Sequence, residues 1–153
     1  MIARRSALVD LQRVFDVLAT RLSDEYLTAE RYQGDAEATF ADAFRKAKNG
    51  FRKAIREGRA DTLLDDGAPL AIIRWQMQNG DAHTGFASPE NFFESKHVRF
   101  MRRYVRDLQS RLGNVPLVAS NWSGRGDVRR WFEILGYEFF MEHGPASIFV
   151  LRP

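Results

Sequence analysis

The residue types that could hold a metal or act as a nucleophile are few in this sequence. It has three histidines and no cysteine, which rules out a thiolate ligand, a disulfide and a cysteine nucleophile. His83, His97 and His143 lie far apart and lack the spacing of paired metal ligands. Glu90 and Glu94 could share one face of a helical turn, but carboxylates at this spacing usually belong to a solvated surface. We therefore predict no metal centre.

An anion is a better match to the sequence that follows these carboxylates. A helix predicted over residues 97–112 carries an apolar stripe of Met101, Tyr104, Val105, Leu108 and Leu112. Its other faces carry Arg99, Arg102, Arg103, Arg106 and Arg111. Backbone N–H groups at a helix N-terminus bind phosphate well. The candidate anion-binding residues are therefore Ser95, Lys96, His97 and Arg99.

Two interpretations of the arginine-rich helix stay open. Its arginines form a solvated surface, or they neutralise the phosphates of a cofactor or of a nucleic acid. Nucleic acid is not excluded, although Phe100 is the only aromatic residue of this helix that lies off the stripe. The whole chain is modestly basic, with 23 basic and 20 acidic residues and a net charge of +3, so charge alone does not choose between the two.

Hydropathy predicts neither a membrane segment nor a secretion signal. The first residues, Met1 to Arg5, open no apolar stretch of signal-peptide length. The longest apolar run, at residues 69–73, is far too short to span a bilayer. Together with the lack of cysteine, these features lead us to expect a cytoplasmic protein without membrane contact.

Apolar spacing predicts the elements that position the candidate residues, beginning with a short strand at 2–6. A first helix is predicted with the face Leu8, Leu11, Phe15, Leu18 and Leu22. A second helix, over 35–57, is predicted with the face Phe40, Phe44, Ala47, Phe51 and Ile55. Gly50 lowers the stability of this second helix by roughly 1 kcal/mol relative to alanine, so a bend or break there is one possibility.

The rest of the chain predicts a mixed sheet. The strands are predicted at 62–64, 69–76, 82–87, 115–120, 137–142 and 147–151. An Asp-Gly turn at Asp66 joins the first two, and we expect 115–120 to lie parallel to 82–87. A helix over 128–135 is expected to be capped by Asp127 and closed by Gly136. We therefore predict one α/β (α+β) domain over 1–153, with six to seven strands and helices on both faces.

Three parts of the sequence relate this order of elements to a known family. They are the opening Ile2 to Asp10, the hairpin Leu63 to Ile73, and the strand end Val118-Ala119-Ser120-Asn121 together with the segment Trp131 to Tyr137. In these stretches, and in the order of elements along the whole chain, the sequence resembles the GNAT N-acyltransferases. The resemblance implies the GNAT fold, with acetyl-CoA as cofactor and no metal.

The resemblance also implies where the cofactor binds. In the family, a glycine-containing loop before the third helix holds the pyrophosphate of CoA. The matching residues here, 85–97, contain no glycine after Gly85, and bulky side chains hinder a close approach of phosphate to backbone. The pyrophosphate is therefore expected at the helix end, near Ser95 to Arg99. Asn121 matches a residue that often contacts the CoA arm.

For catalysis, the resemblance implies that a proton donor is missing. The tyrosine that often protonates the leaving thiolate in the family is matched here by Phe132, which has no proton to donate. Tyr137 and Tyr104 are the remaining candidate catalytic residues, although Tyr137 matches a packing aromatic and Tyr104 lies on the apolar stripe.

Two functions remain open at the level of sequence. One is an active acetyl-CoA-dependent N-acetyltransferase acting on an amine. The other is a degenerate protein of the same fold that is weakly catalytic or non-catalytic and serves a structural or binding role. Phage-encoded GNAT-like proteins share the Trp-x-x-x-Leu-Gly-aromatic ending seen from Trp131 to Tyr137. A bacteriophage virion protein, partnered by other subunits or by copies of itself, is one form of this second interpretation.

Overall fold

A computed structural model describes residues 1–14, 36–122, 125–144 and 146–153. Its strands are β1 (Ile2–Arg5), β2 (Ala60–Asp65), β3 (Ala68–Gln78), β4 (Asp81–Ala87), β5 (Leu117–Asn121), β6 (Glu138–His143) and β7 (Ala146–Leu151). Its helices are α1, described over 8–14, α2 (Ala36–Arg56), α3 (Ser95–Arg111) and α4 (Gly126–Leu135), with a 3-10 turn at Glu90–Phe93. The seven described strands form one sheet in the order β1-β2-β3-β4-β5-β7-β6. The predicted α+β class with a mixed sheet is confirmed.

The described chain divides into two compact units. The amino-terminal unit comprises Ile2–Arg74 and Phe86–Glu90. The carboxy-terminal unit comprises Trp75–Gly85 and Asn91–Pro153, together with Met1. A single domain over residues 1–153 stays a prediction, and each unit is described by itself below.

Antiparallel pairing organises the strands of the amino-terminal unit. Both β1 and β3 pair antiparallel with β2. The turn from β2 to β3 has positive φ at Asp66 (48°) and at Gly67 (81°), which is the type I′ geometry that an Asp-Gly pair favours. The hairpin predicted from this dipeptide is confirmed.

The core of the amino-terminal unit contains Leu11, Val14, Phe51, Ala54, Ile55, Ala60, Ile72 and Ala87, with Phe44 and Ala47 packed against it. The predicted face of α2 is thus confirmed where its side chains are described; the side chain of Phe40 lies outside the described part. In α1, Leu8 is 46% exposed, so its place on the predicted face is wrong. The other members of that predicted face, Phe15, Leu18 and Leu22, lie outside the described residues.

Gly50 does not interrupt α2, which is continuous from Ala36 to Arg56. The space beside it is taken by Arg74 of β3, because a Cβ atom at Gly50 would lie 3.3 Å from Nη1 of Arg74. The same guanidinium lies over the ring of Phe51, with Cζ 5.0 Å from the ring centroid. A residue without a side chain therefore lets the arginine lie close against the helix.

Asp10, in the first turn of α1, is a buried carboxylate with several hydrogen-bond donors. The Arg4 guanidinium donates to both of its oxygens at 2.7 Å, and the backbone N–H of Ala7 donates at 2.8 Å. Oγ1 of Thr62 in β2 lies 2.9 Å from Oδ2. Burial by itself raises the pKa of Asp10, but the hydrogen bonds from these donors outweigh it and hold the pKa below its usual value.

Asp10→Asn is expected to lower the free energy of unfolding at neutral pH by roughly 1–3 kcal/mol, because Arg4 loses its anionic partner. The lowered pKa of Asp10 means that this stabilisation is present above the unfolded pKa, near 3.8, and is lost as the pH falls through the folded value. Urea unfolding of the wild type and of Asp10→Asn, from neutral to strongly acidic pH, measures the difference in their free energies of unfolding. This difference should disappear in strong acid.

Asp42→Asn is the control for this experiment. The partly exposed carboxylate of Asp42 pairs with Arg45 and Lys46 on its own helix, and such surface pairs contribute little to stability. If the free energies of unfolding of wild type and Asp10→Asn still differ by the same amount in strong acid, the charge of the Asp10 carboxylate is not what stabilises the protein.

In the carboxy-terminal unit, β4 pairs parallel with β5, and β7 lies antiparallel between β5 and β6. The predicted parallel pairing is confirmed. Gly136 ends α4 with a φ of 97°, also as predicted. Capping of α4 by Asp127 is wrong, since Arg125 occupies the N-cap position. Asp127 lies inside the first turn, where its carboxylate accepts from the backbone N–H of Val128 at 3.0 Å and suits the positive end of the helix.

Aromatic side chains fill much of the interior of the carboxy-terminal unit. Phe132 of α4 stacks on Phe149 of β7 with ring centroids 5.1 Å apart, and it meets Tyr137 edge to face at 5.5 Å. Phe92 contacts Trp131 with centroids 5.6 Å apart. These contacts position α4 and the 3-10 turn on the sheet of this unit.

Candidate cofactor-binding site

The N-terminal turn of α3 offers donors to an anion. Glu94 occupies the N-cap position, but its side chain makes no capping hydrogen bond, and the first turn contains no acidic residue. The first N–H groups of a helix have no intrahelical partner and carry partial positive charge, so an anion is favoured there. Ser95, Lys96 and Arg99 are exposed around this turn, and Lys96 Nζ lies 3.3 Å from Glu94 Oε2. These features fit a phosphate group.

His97, the fourth predicted anion-binding residue, lies beneath this turn. Its side chain is 2% exposed, and Nδ1 lies 3.1 Å from the carbonyl oxygen of Phe92. The imidazole therefore packs inside the unit and faces no surface ligand. Phe92 is fully buried, so its side chain also packs in the core and does not cover the exposed end of α3.

Asn121 lies at the carboxyl end of β5. The ladder between β4 and β5 ends at Thr84 and Ala119, two residues before the end of β5 at Asn121. β5 stays paired with β7 over these last residues, through Ser120↔Ile148 and Asn121↔Ser147. The carboxyl ends of parallel strands are where α/β sheets commonly bind ligands. The position of Asn121 therefore agrees with a cofactor contact, which the structure does not test.

Phe132, at the position matched to a proton donor, is a packing residue. It is 6% exposed and lies between Phe149 and Tyr137. Tyr104, one of the two candidate catalytic tyrosines, is 4% exposed and stacks on Phe100 with centroids 6.2 Å apart. Both side chains are therefore almost fully buried.

Tyr137, the other candidate, has a buried hydroxyl for which no hydrogen-bond partner is found among the described residues. The Thr84 hydroxyl beside it donates to the carbonyl oxygen of Val118 at 3.0 Å. Burial raises the pKa of Tyr137 well above its ordinary value, and nearby Thr84 and Arg106 only partly oppose the shift. The phenol stays protonated at neutral pH and is a weak acid. The sequence did not predict that Tyr137 lies close to Thr84, because the two residues are far apart along the chain and no local spacing links them.

The arginines of α3 fall into two groups. Arg106 donates to Oε1 of Gln109 at 2.8 Å and to the carbonyl oxygen of Arg152 at 2.6 Å, and Arg111 lies over the ring of Trp75 at 5.7 Å. These two hold α3 to its own unit. Three others are exposed and keep their charges available to an anionic ligand: Arg99, Arg102 and Arg103.

Among the described residues, no cluster of three or more histidine, aspartate or glutamate side chains is arranged to hold a metal ion. In the same part of the chain, no helix combines the length and the apolar character needed to cross a membrane.

Neither a protein-family model nor a curated protein sequence matches this chain. Several solved structures are similar to this chain. PaiA N-acetyltransferase from Thermoplasma acidophilum, in complex with coenzyme A, superposes with a TM-score of 0.72 at 12% identity, over 99% of this chain and 98% of that one. A GNAT superfamily phosphinothricin acetyltransferase from Sinorhizobium meliloti, in complex with AcCoA, gives 0.64 at 12% identity, over 97% and 86%. Ribosomal-protein-alanine N-acetyltransferase from Brucella melitensis gives 0.63 at 10% identity, over 98% and 97%. The chain therefore has the fold of the GNAT acetyltransferases.

Proposed function

We propose that the carboxy-terminal unit binds acetyl-CoA and that acetyl transfer from it is slow, so that the main role of the protein is in binding. The first turn of α3, uncapped by a side chain and free of acidic residues, is the observation that most supports cofactor binding. Two of the structural neighbours, from Thermoplasma acidophilum and Sinorhizobium meliloti, were solved with coenzyme A and AcCoA. Bound acetyl-CoA would supply an activated acetyl thioester.

Each candidate residue has a definite part in this proposal. Ser95 and the backbone N–H groups of the first turn of α3 bind the pyrophosphate, and Lys96 and Arg99 add positive charge around it. Asn121, at the end of β5, orients the arm of the cofactor. His97 supports the turn from inside through its contact with the Phe92 carbonyl.

Slow transfer is proposed because no suitable acid for the leaving thiolate is found among the described residues. Phe132 has no ionisable group, and the hydroxyl of Tyr137 is buried and has a raised pKa. A general acid is worth roughly 100- to 10,000-fold in rate, so its loss leaves a slow enzyme. The partners proposed for a binding role are other protein subunits or an anionic ligand at α3. A bacteriophage virion role stays a prediction from the Trp131 to Tyr137 segment alone.

An active N-acetyltransferase is the second candidate function. It is supported by the names of the three structural neighbours, all of which are acetyltransferases. The two functions share the cofactor site and differ in turnover, so a binding measurement tests their common part and an acetylation assay separates them.

Reversing two charges at the end of α3 tests the cofactor site. Lys96→Glu together with Arg99→Glu is expected to weaken acetyl-CoA binding by about tenfold or more, which corresponds to about 1.4 kcal/mol. The loss should be larger at low salt, because exposed charges are less screened there. Isothermal titration of acetyl-CoA at two salt concentrations measures both effects.

A matched control reverses two exposed charges elsewhere. Arg52→Glu with Arg56→Glu, on α2, changes the net charge by the same amount and should leave the affinity unchanged. Equal losses in both double variants would mean that only net charge matters. Wild-type protein that takes up no acetyl-CoA would refute the cofactor proposal itself.

A further inference from the structure

Arg74, on β3 in the amino-terminal unit, is a partly buried cation for which no acidic partner is found among the described residues. Its Nε atom is buried, and no hydrogen-bond partner for it is found among the described residues. Its guanidinium lies over the Phe51 ring and beside Gly50. A cation over an aromatic ring is stabilised without using any N–H donor, so Phe51 positions the group and leaves its donors available.

Keeping this arginine is costly for the folded protein. A buried charge is usually paired with an opposite charge, because loss of hydration is otherwise not offset. The charge that acts on Arg74 is that of Arg59, which is itself paired with Glu57 and repels a second cation. Burial, and then this repulsion, lower the pKa of Arg74. In the part of the chain that the structure describes, no negative charge therefore offsets that of Arg74.

We propose that Arg74 is the anchor of an oxyanion-binding site in the amino-terminal unit, at Gly50 and Phe51 of α2. The ligand carries a carboxylate or a phosphate, since the fork of N–H donors on a guanidinium matches two oxygens of either group. Gly50 leaves room for the guanidinium, because a Cβ atom there would lie 3.3 Å from Nη1, a tight contact. The proposal does not depend on acetyl-CoA binding.

Thermal unfolding of the full chain tests this site, with sodium phosphate and sodium acetate compared against sodium chloride at equal ionic strength. The bound anion should raise Tm by about 3–6 °C when present at tenfold its Kd. A rise with phosphate alone assigns the phosphate class, and a rise with acetate assigns the carboxylate class. No rise with either anion overturns the proposal.

Three variants decide whether Arg74 is responsible. Arg74→Met should abolish the rise in Tm, and Gly50→Ala, which leaves the arginine in place but crowds it, should weaken the response. Arg52→Met removes an exposed arginine of α2 and should respond as wild type does. A rise that persists unchanged in both Arg74→Met and Gly50→Ala refutes the site. Should Arg74→Met fail to fold, Gly50→Ala decides alone.

The same measurement on Lys96→Glu/Arg99→Glu separates this site from the cofactor site. That variant should lose acetyl-CoA binding and keep its response to the anion. Loss of the anion response in it would place the bound anion at α3 and overturn the assignment to Arg74.

Discussion

Phe149→Ala is expected to lower the free energy of unfolding by about 3–5 kcal/mol, which is the usual loss when a fully buried phenylalanine is truncated. Phe149 is 0% exposed at the centre of the carboxy-terminal unit. Its ring stacks on Phe132 at 5.1 Å and meets Phe139 edge to face at 6.0 Å. Truncation leaves a cavity lined by rigid rings, which relax little to fill it.

Phe140→Ala is the matched control, because the same substitution is made on the neighbouring strand at a side chain that is 58% exposed. It should change the free energy of unfolding by less than about 0.5 kcal/mol. Urea unfolding followed by circular dichroism measures both variants. If Phe149→Ala is no less stable than Phe140→Ala, the aromatic stack does not hold this unit together.

Purified wild-type protein is expected to acetylate a polyamine, an aminoglycoside or a peptide amine barely above background. If no general acid acts, as proposed, the rate is lower by about 100- to 10,000-fold than that of an enzyme which has one. The proposal also expects less binding energy to position the thioester, because residues 86–97 contain no glycine. A coupled assay for free CoA measures the rate, and ordinary turnover would establish the active N-acetyltransferase instead.

Phe132→Tyr is expected not to restore activity, because the side chain at this position is buried. Phe132 is 6% exposed and packs between Phe149 and Tyr137, so a hydroxyl added to its ring is expected to be buried. An unsatisfied buried hydroxyl costs about 1–3 kcal/mol, so the variant should also be less stable. A Phe132→Tyr protein that gained activity with unchanged stability would show that the hydroxyl reaches the thioester after all.

Tyr137→Phe completes this comparison. It removes a buried hydroxyl without a partner among the described residues, so stability should stay the same or rise. The residual acetylation rate should not change, because the phenol is buried and its raised pKa makes it a weak acid. A large drop in rate at unchanged stability would identify Tyr137 as the acid.

Much of the fold could be predicted from residues that are neighbours along the chain. The Asp66-Gly67 turn has the positive φ angles that this dipeptide tolerates, and Gly136 ends α4 for the same reason. The period of Phe44, Ala47, Phe51 and Ile55 correctly predicted which face of α2 is buried. Turn chemistry and helical period are local properties, and the order of elements that follows from them was enough to suggest the GNAT fold.

The candidate site was only partly accessible to the same reasoning. Ser95, Lys96 and Arg99 are exposed at the helix end where the sequence placed them. His97 was grouped with them by proximity in sequence, yet its side chain points inward. One helical turn contains both surface and core positions, and membership of a segment does not say which of them a residue takes.

The order of the elements and the charged end of α3 could be predicted from the sequence. The tertiary structure was needed to show that Asp10 keeps a lowered pKa, that Tyr137 buries its hydroxyl beside Thr84, and that Arg74 lies against Phe51 with no acidic partner among the described residues. Each of these depends on burial and on partners from distant parts of the chain. Local spacing specifies the direction in which a side chain points within its element, but the groups it meets there are set by strand register and helix packing.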